Sequence, residues 1–365
     1  MRILYIITGL KMGGAERISI DIANIMQEKG NEVAIVYLNG KNEHDNINVN
    51  IKVVPLDMKK TPSGMICALN KASEFIRQWK PDVIHSQMFH ANIFSRILKL
   101  RRECPKLICT EHNKYIGGKT RMLIYRITDF LSDMNTNVSI EALEYFIETK
   151  AFSKKKSIVM YNGINLERFY KNNNIKKDGG CFTFINVGRL TEAKDHANLI
   201  NAFKELHMKA GNTRLMIIGE GEDREKLTDM IKINNLENCV SMPGTKTNIQ
   251  DYYNMADCFV LSSAWEGFGI VVAEAMACEL PVIVTNAGGC AEVVDYNRFV
   301  VPIKNCKELS EKMEYVYHLP EEEKILLGRR NRETAKRFDI KTIADKWETI
   351  YNKIVTGYNE DKNKN

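Results

Sequence analysis

No C-x-x-C pair occurs in this chain, and its nine cysteines never fall at the Cys/His spacing a zinc site needs. Thiols scattered singly in this way fit a reduced compartment, so a cytosolic protein is expected. Nowhere do roughly 18 apolar residues run together, so no membrane-spanning helix is expected. The opening MRILYIITGLKMGG lacks the long apolar core and small-residue cleavage site of a signal peptide. Two nucleotide signatures are also missing. The glycines after the first apolar run are Gly9, Gly13 and Gly14, not G-x-G-x-x-G, which disfavours a nicotinamide dehydrogenase. GGKT at Gly117 to Thr120 resembles the end of a P-loop, but that motif's first glycine would stand where Asn113 does.

What is present is an ordinary globular composition, 44% hydrophobic and 27% charged, which excludes a disordered or fibrous chain. At 365 residues one core is too few, and two domains are expected. The net charge of +6 can favour anionic partners without requiring nucleic acid, and none is expected.

Short β-branched runs alternate with amphipathic stretches along nearly the whole chain, the rhythm of parallel strands joined by crossover helices. In the first half, strands are predicted near Ile3 to Thr8, Glu32 to Leu38, Asp82 to His85, Lys106 to Thr110, Asn135 to Val138 and Ser157 to Met160. The clearest helix follows Gly14 and stops at Gly30. The polar stretch NGINLERFYKNNNIKKDGG then reads as a linker, over 166–180. The rhythm restarts with strands at Phe182 to Val187, Arg214 to Ile218, Cys239 to Ser241, Cys258 to Leu261 and Val282 to Thr285. The expectation is two doubly wound α/β domains, 1–165 and 181–339, with ligands at the carboxyl ends of the strands in a shared cleft. A last amphipathic helix, about 340–356, is expected to pack back on the first domain, and the tail 357–365 to be disordered.

Two constellations can carry chemistry. In WEGFGIVVAEAMACELP, Glu266 and Glu274 flank Gly267 and Gly269. On one helix, eight positions at roughly 100° each would leave the two carboxylates about 80° apart, so Glu266 belongs in the loop and Glu274 within the helix. Carboxylates used this way accept hydrogen bonds from vicinal hydroxyls, which points to a sugar or ribose. The alternative is two acids at a helix N-terminus, satisfying its dipole. That explanation is weak for Glu274, whose neighbours are apolar and which needs a partner. In VGRLTEAKDH, Gly188 permits a turn, and Arg189 and Lys194 straddle the loop as a planar fork and a point charge fit to grip a diphosphate. They could equally be solvated loop charges. No carboxylate cluster suited to magnesium accompanies them, so no metal is expected, and the two cations would stabilise a departing phosphate instead.

Taken together and in order, MGGAER after the first strand, VGRLTEAK after a later one and E-x7-E from Glu266 to Glu274 resemble a retaining glycosyltransferase of the family-4 type, with the GT-B fold of two Rossmann-like domains. The similarity covers nearly the whole chain. It implies that Glu274 holds the ribose hydroxyls of a nucleotide sugar, that Glu266 lies against the sugar near the amides of Gly267, Phe268 and Gly269, and that Arg189 and Lys194 bind the diphosphate. Gly13 and Gly14, at the mouth of the first helix, would approach the phosphates, although an ordinary strand-to-helix turn explains that pair as well. The residue after the lysine is often glycine or asparagine in this family; here it is Asp195, which an N-cap role accommodates. His112 in LICTEHN is implied to position the transferred sugar, against the alternative of a structural hydrogen-bonder; His85 and His90 are weaker candidates.

The resemblance further implies a UDP-sugar donor, which is a substrate rather than a cofactor, and a lipid-diphosphate-linked glycan acceptor in surface polysaccharide assembly. From Arg96 to Arg126 nine basic residues stand against Glu103 and Glu111. They either rest on an anionic membrane surface, making the protein peripheral on the inner face of the cell membrane, or form a solvated helix face. The rivals to a transferase are a non-catalytic nucleotide-sugar or polyanion-binding module of the same fold and a nucleotide-sugar epimerase.

Overall fold

A computed structural model describes residues 1–11, 13–177, 179–294 and 297–357; the expected tail therefore lies, Gly357 aside, outside the described residues. The chain divides into two units, Met1–Gly163 with the chain from Ile340 on, and Ile164–Asp339.

The first unit holds seven parallel strands, β1 (Arg2–Ile7), β2 (Glu32–Tyr37), β3 (Lys52–Pro55), β4 (Val83–Gln87), β5 (Leu107–Glu111), β6 (Met134–Asn137) and β7 (Ser157–Val159), in the order β3-β2-β1-β4-β5-β6-β7. β1, β4 and β5 sit centrally with helices over their faces, so nearly every side chain on them is buried. The strand VIHSQ buries a histidine, a serine and a glutamine in mid-sheet, which only a hydrogen-bonded network can compensate. β3 was not predicted. It is four residues long, half exposed and ends in Pro55, as an edge strand tolerates. The helix Ile340–Thr356 belongs to this unit and buries Ile343, Trp347 and Tyr351.

The second unit repeats the plan with β8 (Phe182–Val187), β9 (Thr213–Ile218), β10 (Val240–Gly244), β11 (Cys258–Leu261), β12 (Val282–Thr285) and the two-residue β13 (Val300–Val301), in the order β10-β9-β8-β11-β12-β13, all parallel. Strand order reverses between β8 and β11, so the loops leaving their carboxyl ends diverge, and ligands of doubly wound sheets bind at such a point. The core of Phe184, Leu199, Phe203, Leu215 and Val260 packs this sheet against the helix His196–Ala210.

Two expectations need correction. The stretch 166–180 is not a free connector. Phe169 is fully buried, Arg332 donates from Nη1 to Phe169 O at 2.6 Å, and Asn254 Nδ2 reaches Tyr170 O at 3.0 Å, so one aromatic anchors a polar segment to the second unit. Nor do the nine basic residues form one face. Arg96 is completely buried, donating to Asn135 Oδ1, Thr128 Oγ1 and Tyr125 O. Arg101, Arg102 and Lys106 flank the start of β5, whereas Lys114, Lys119 and Arg121 follow its end. Among the described residues no helix is long and apolar enough to cross a membrane.

Candidate active site

The loops after β8 and β11 are stitched to each other. From the first, Gly188 N donates to Ile218 O at 3.0 Å, Arg189 is exposed and has no ion pair among the described residues, and a short turn runs through Glu192–Lys194. Asp195 follows at φ 46° and ψ 49°, and its side chain accepts from Asn198 N at 3.3 Å to cap the next helix, His196–Ala210. That left-handed conformation favours glycine or asparagine and suits aspartate, which accounts for the departure from the family's habit. From the second loop, Ser262 Oγ donates to Lys194 O at 2.9 Å and Ala264 N to Ala193 O at 2.9 Å.

This stitching brings Lys194 and Glu266 into an ion pair, and Ser263 Oγ donates to the same carboxylate oxygen at 3.1 Å. The two side chains are 18% and 17% exposed, which leaves a desolvated, strengthened pair still open to a ligand. Thr285 Oγ1 on β12 holds Ser263 O at 2.6 Å. His196 is buried beside Lys194 with Nε2 at 3.0 Å from Asn186 Oδ1; burial first, and the lysine charge second, push its pKa down to about 4.

Neither glutamate is a first-turn acid. Glu266 lies before the helix Ile270–Ala277, and Glu274 lies in its second turn, 3% exposed, accepting from Tyr253 OH at 3.1 Å. An explanation through the helix dipole, which fades within the first turn, therefore does not apply. Gly269 caps this helix at φ 80°, Phe268 is buried edge-on to Phe338, and Gly289 N closes the loop on Gly267 O at 3.1 Å.

In the first unit Gly13 is the extended cap of Gly14–Glu28, and the Glu16 carboxylate stands over it, so this helix start already faces an anionic group of its own chain. His112, just beyond β5, is buried with Nε2 at 2.8 Å from Gln87 Oε1; burial pushes its pKa down to about 4. His85 joins the same cluster through Gln87 Nε2 at 3.0 Å and is pushed down to about 3, by burial foremost. His90 is exposed on the neighbouring helix and takes no part in it. Among the described residues no group of three or more His, Cys, Asp or Glu could hold a metal ion.

Comparison with known proteins bears on this architecture directly. The family Glycosyltransferase Family 4 matches residues 12–168, and Glycosyl transferases group 1 matches residues 168–333. The chain belongs to the family-4 type glycosyltransferases. It is 31% identical to an uncharacterised glycosyltransferase of Methanocaldococcus jannaschii over 68% of this chain and 64% of that protein. It is 26% identical, over 90% and 91%, to the capsular polysaccharide biosynthesis glycosyltransferase CapM of Staphylococcus aureus. With a Campylobacter jejuni N-acetylgalactosaminyltransferase, named for a diphospho-undecaprenol-linked substrate, it shares 27% identity over 77% and 79%. Its fold matches a Rickettsia africae glycosyltransferase at a TM-score of 0.86 and 20% identity, covering 98% and 99% of the chains. Anabaena HepE in complex with UDP matches at 0.83 and 20%, covering 96% and 99%. The fold is GT-B.

Several residues around this glycosyltransferase's loops escaped the sequence reading. A Cβ on Gly219 would overlap Gly188 O, one on Gly221 Leu190 O, and one on Gly288, at φ +57°, Glu266 O. These glycines, and not Gly188, are what the close approach of the loops demands; a Cβ on Gly188 would sit at 3.4 Å from Lys194 Cε, an ordinary contact. Ser263, Tyr253 and Gln87 were also missed. Only the closely spaced glycines of GEGE and the doublet of NAGG carry a sequence signal, since tight turns are their usual cause.

Proposed function

We propose that this glycosyltransferase moves a hexose or N-acetylhexosamine from a UDP-sugar to a lipid-diphosphate-linked glycan in surface polysaccharide assembly, with retention at the anomeric carbon. The observation that carries the reading is the half-buried Lys194–Glu266 pair, stitched between the β8 and β11 loops, with Arg189, which has no ion pair among the described residues, earlier in the same loop. A cation held by a carboxylate beside an exposed guanidinium is a ready site for a diphosphate. Arg189 and Lys194 act in the transition state, when the C1–O bond to the β-phosphate breaks and charge builds on that oxygen. The acceptor hydroxyl bonds to C1 from the same side and passes its proton to the departing phosphate. No metal is required, because the two cations neutralise the leaving group. Glu274, with Oε2 on Tyr253, takes the ribose hydroxyls, and His112 the transferred sugar. Support for the donor comes from HepE, a neighbour at 20–21% identity solved with UDP and with UDP-glucose. Support for the acceptor and pathway comes from the Campylobacter and Staphylococcus relatives.

Contact with the membrane belongs to a smaller surface than the basic count suggested. Leu123, Ile127 and Phe130 are 55%, 60% and 75% exposed along and just beyond the helix Lys119–Thr128, which also carries exposed Lys119 and Arg126. Ser153 N bonds Asp129 Oδ2, which brings exposed Lys154 and Lys155 to the same patch. Apolar side chains ringed by cations suit an anionic bilayer interface.

Incubation with labelled UDP-sugars, with and without a lipid-diphosphate glycan and in the presence of EDTA, tests the reading. Acceptor-dependent transfer with unchanged anomeric configuration is expected. Conversion of the sugar without acceptor would make it an epimerase, and binding without turnover a non-catalytic module.

A further inference from the structure

Within the first unit a run of buried polar side chains leads inward from His112. His112 Nε2 lies 2.8 Å from Gln87 Oε1, and Gln87 Nε2 lies 3.0 Å from His85 Nε2. His85 Nδ1 is 2.7 Å from Tyr351 OH, which is 2.9 Å from Tyr5 OH. Tyr5 stands opposite His85 in the parallel register of β1 and β4, while Tyr351 and Trp347 descend from the helix Ile340–Thr356, and Trp347 roofs His85 at 4.4 Å between ring centroids. The adjoining cavity measures about 20 Å³, room for a single water and far too little for a sugar. His112 lines that cavity too, but it keeps 8% of its surface exposed whereas His85 keeps 1%, so His85 touches no substrate and acts through Gln87.

The amide imposes a direction. A carboxamide oxygen only accepts and its nitrogen only donates. With the amide in this orientation, His112 Nε2 would carry a hydrogen and His85 Nε2 would be bare, with Thr110 Oγ1 also 2.7 Å away from the latter. A neutral ring has one hydrogen, so that of His85 is on Nδ1, donated to Tyr351, whose own hydroxyl proton passes to Tyr5. Burial keeps both rings neutral near pH 7.

We propose that Gln87 is a positioning residue, oriented by His85 and Tyr351, that fixes His112 as the Nε2–H tautomer and so presents its Nδ1 lone pair as a hydrogen-bond acceptor. Among the described residues no protein group bonds that Nδ1. Resting on the function proposed above, its partner is a hydroxyl of the transferred sugar, which donates to a neutral imidazole and would lose this contact if the tautomer reversed. The C-terminal helix thereby sets the chemistry of a residue more than 200 positions earlier in the chain.

The test is a long-range ¹H–¹⁵N histidine spectrum of the full, ligand-free chain, with the signals assigned by their loss in His112→Asn. The wild type is expected to show His112 protonated at Nε2. Gln87→Met removes both amide contacts and should yield a tautomer mixture, with kcat down about tenfold and donor KM little changed. Tyr351→Phe, which leaves the glutamine in place, should shift the tautomer in the same direction, and thermal unfolding of both variants checks that they fold. A wild-type His112 carrying its proton on Nδ1, or an Nε2–H signal unmoved by both substitutions, overturns the proposal. Because the spectrum needs no substrate, absence of sugar transfer would refute the function while leaving this result standing.

Discussion

Glu266→Gln should make the protein bind UDP more tightly while it turns over more slowly. Lys194 is held by Glu266, so a diphosphate must draw the ammonium away from a carboxylate before using it. Side-chain exposures of 18% and 17% put the pair between a surface bridge, about 0.2–1 kcal/mol, and a buried one whose breakage costs about 3–5 kcal/mol. A coupling of about 1–2 kcal/mol follows. Double-mutant thermal unfolding of Glu266→Gln, Lys194→Met and the pair should therefore show the double variant less destabilised than the sum of the singles by about that amount. If half of the coupling opposes the ligand, about 0.5–1 kcal/mol, releasing it tightens UDP by about two- to fivefold. Lys194→Met should instead weaken UDP, because the phosphate's cation is gone, and leave Glu266 with Ser263 as its remaining donor. Isothermal titration with UDP reads both, and steady-state assays should show kcat falling in each. Equal weakening of UDP by the two single variants, or strictly additive stabilities, would refute the competition on which this reasoning rests.

Arg189→Ala should depress kcat by more than it raises donor KM, because an exposed guanidinium that meets growing phosphate charge acts mainly in the transition state; equal effects confined to KM would count against it. Gly288→Ala should cost about 2–4 kcal/mol in unfolding experiments and abolish transfer, since the new Cβ overlaps Glu266 O at φ +57°. Gly30→Ala, at φ +86° with nothing within 4 Å, is the control for backbone strain alone. Acidification should destabilise the fold. Burial pushes His85, His112 and His196 down from the ordinary 6.5 to about 3, 4 and 4, so stability present above pH 6.5 is lost as pH falls through that window. Glu111, raised by burial to about 7, opposes them by one proton, leaving a net uptake of about two on unfolding, or about 2–3 kcal/mol per pH unit. Calorimetry across pH 6.5 to 4.5 checks the slope, and a Tm that is flat or rises on acidification would sink the argument. Replacing Leu123, Ile127 and Phe130 by Glu should abolish sedimentation with phosphatidylglycerol vesicles while leaving the melting temperature within a few degrees, since all three are exposed.

The strand rhythm was legible because central parallel strands are continuous apolar runs, and β8, β11 and β12 fall where those runs predict. β3 and β13 were not, being too short and too exposed or interrupted to carry a pattern. The reading of 166–180 failed for a different reason: composition averages over a segment, whereas a single buried Phe169 decides where it packs. Arg96 shows the same limit in the charge count, since a guanidinium with three buried acceptors leaves the surface altogether.

The candidate site divides along the same line. Each of Arg189, Lys194, Glu266 and Glu274 can be picked out by residue type beside a strand end, yet the sequence alone leaves Lys194 on phosphate and Glu266 on sugar as independent groups. Seventy-two residues separate them, and no local spacing links them. What joins them is strand order: β11 inserts beside β8 rather than beyond β10, and so delivers its loop onto the turn that ends in Lys194. The glycines that let the loops close are legible only once that neighbour is known, since Gly288 is required by the carbonyl of Glu266 and not by its own turn alone. A pair of opposite charges that meets only through topology is also one that a ligand can part without unfolding either loop. The arrangement hidden from the sequence is therefore the one on which the proposed chemistry turns.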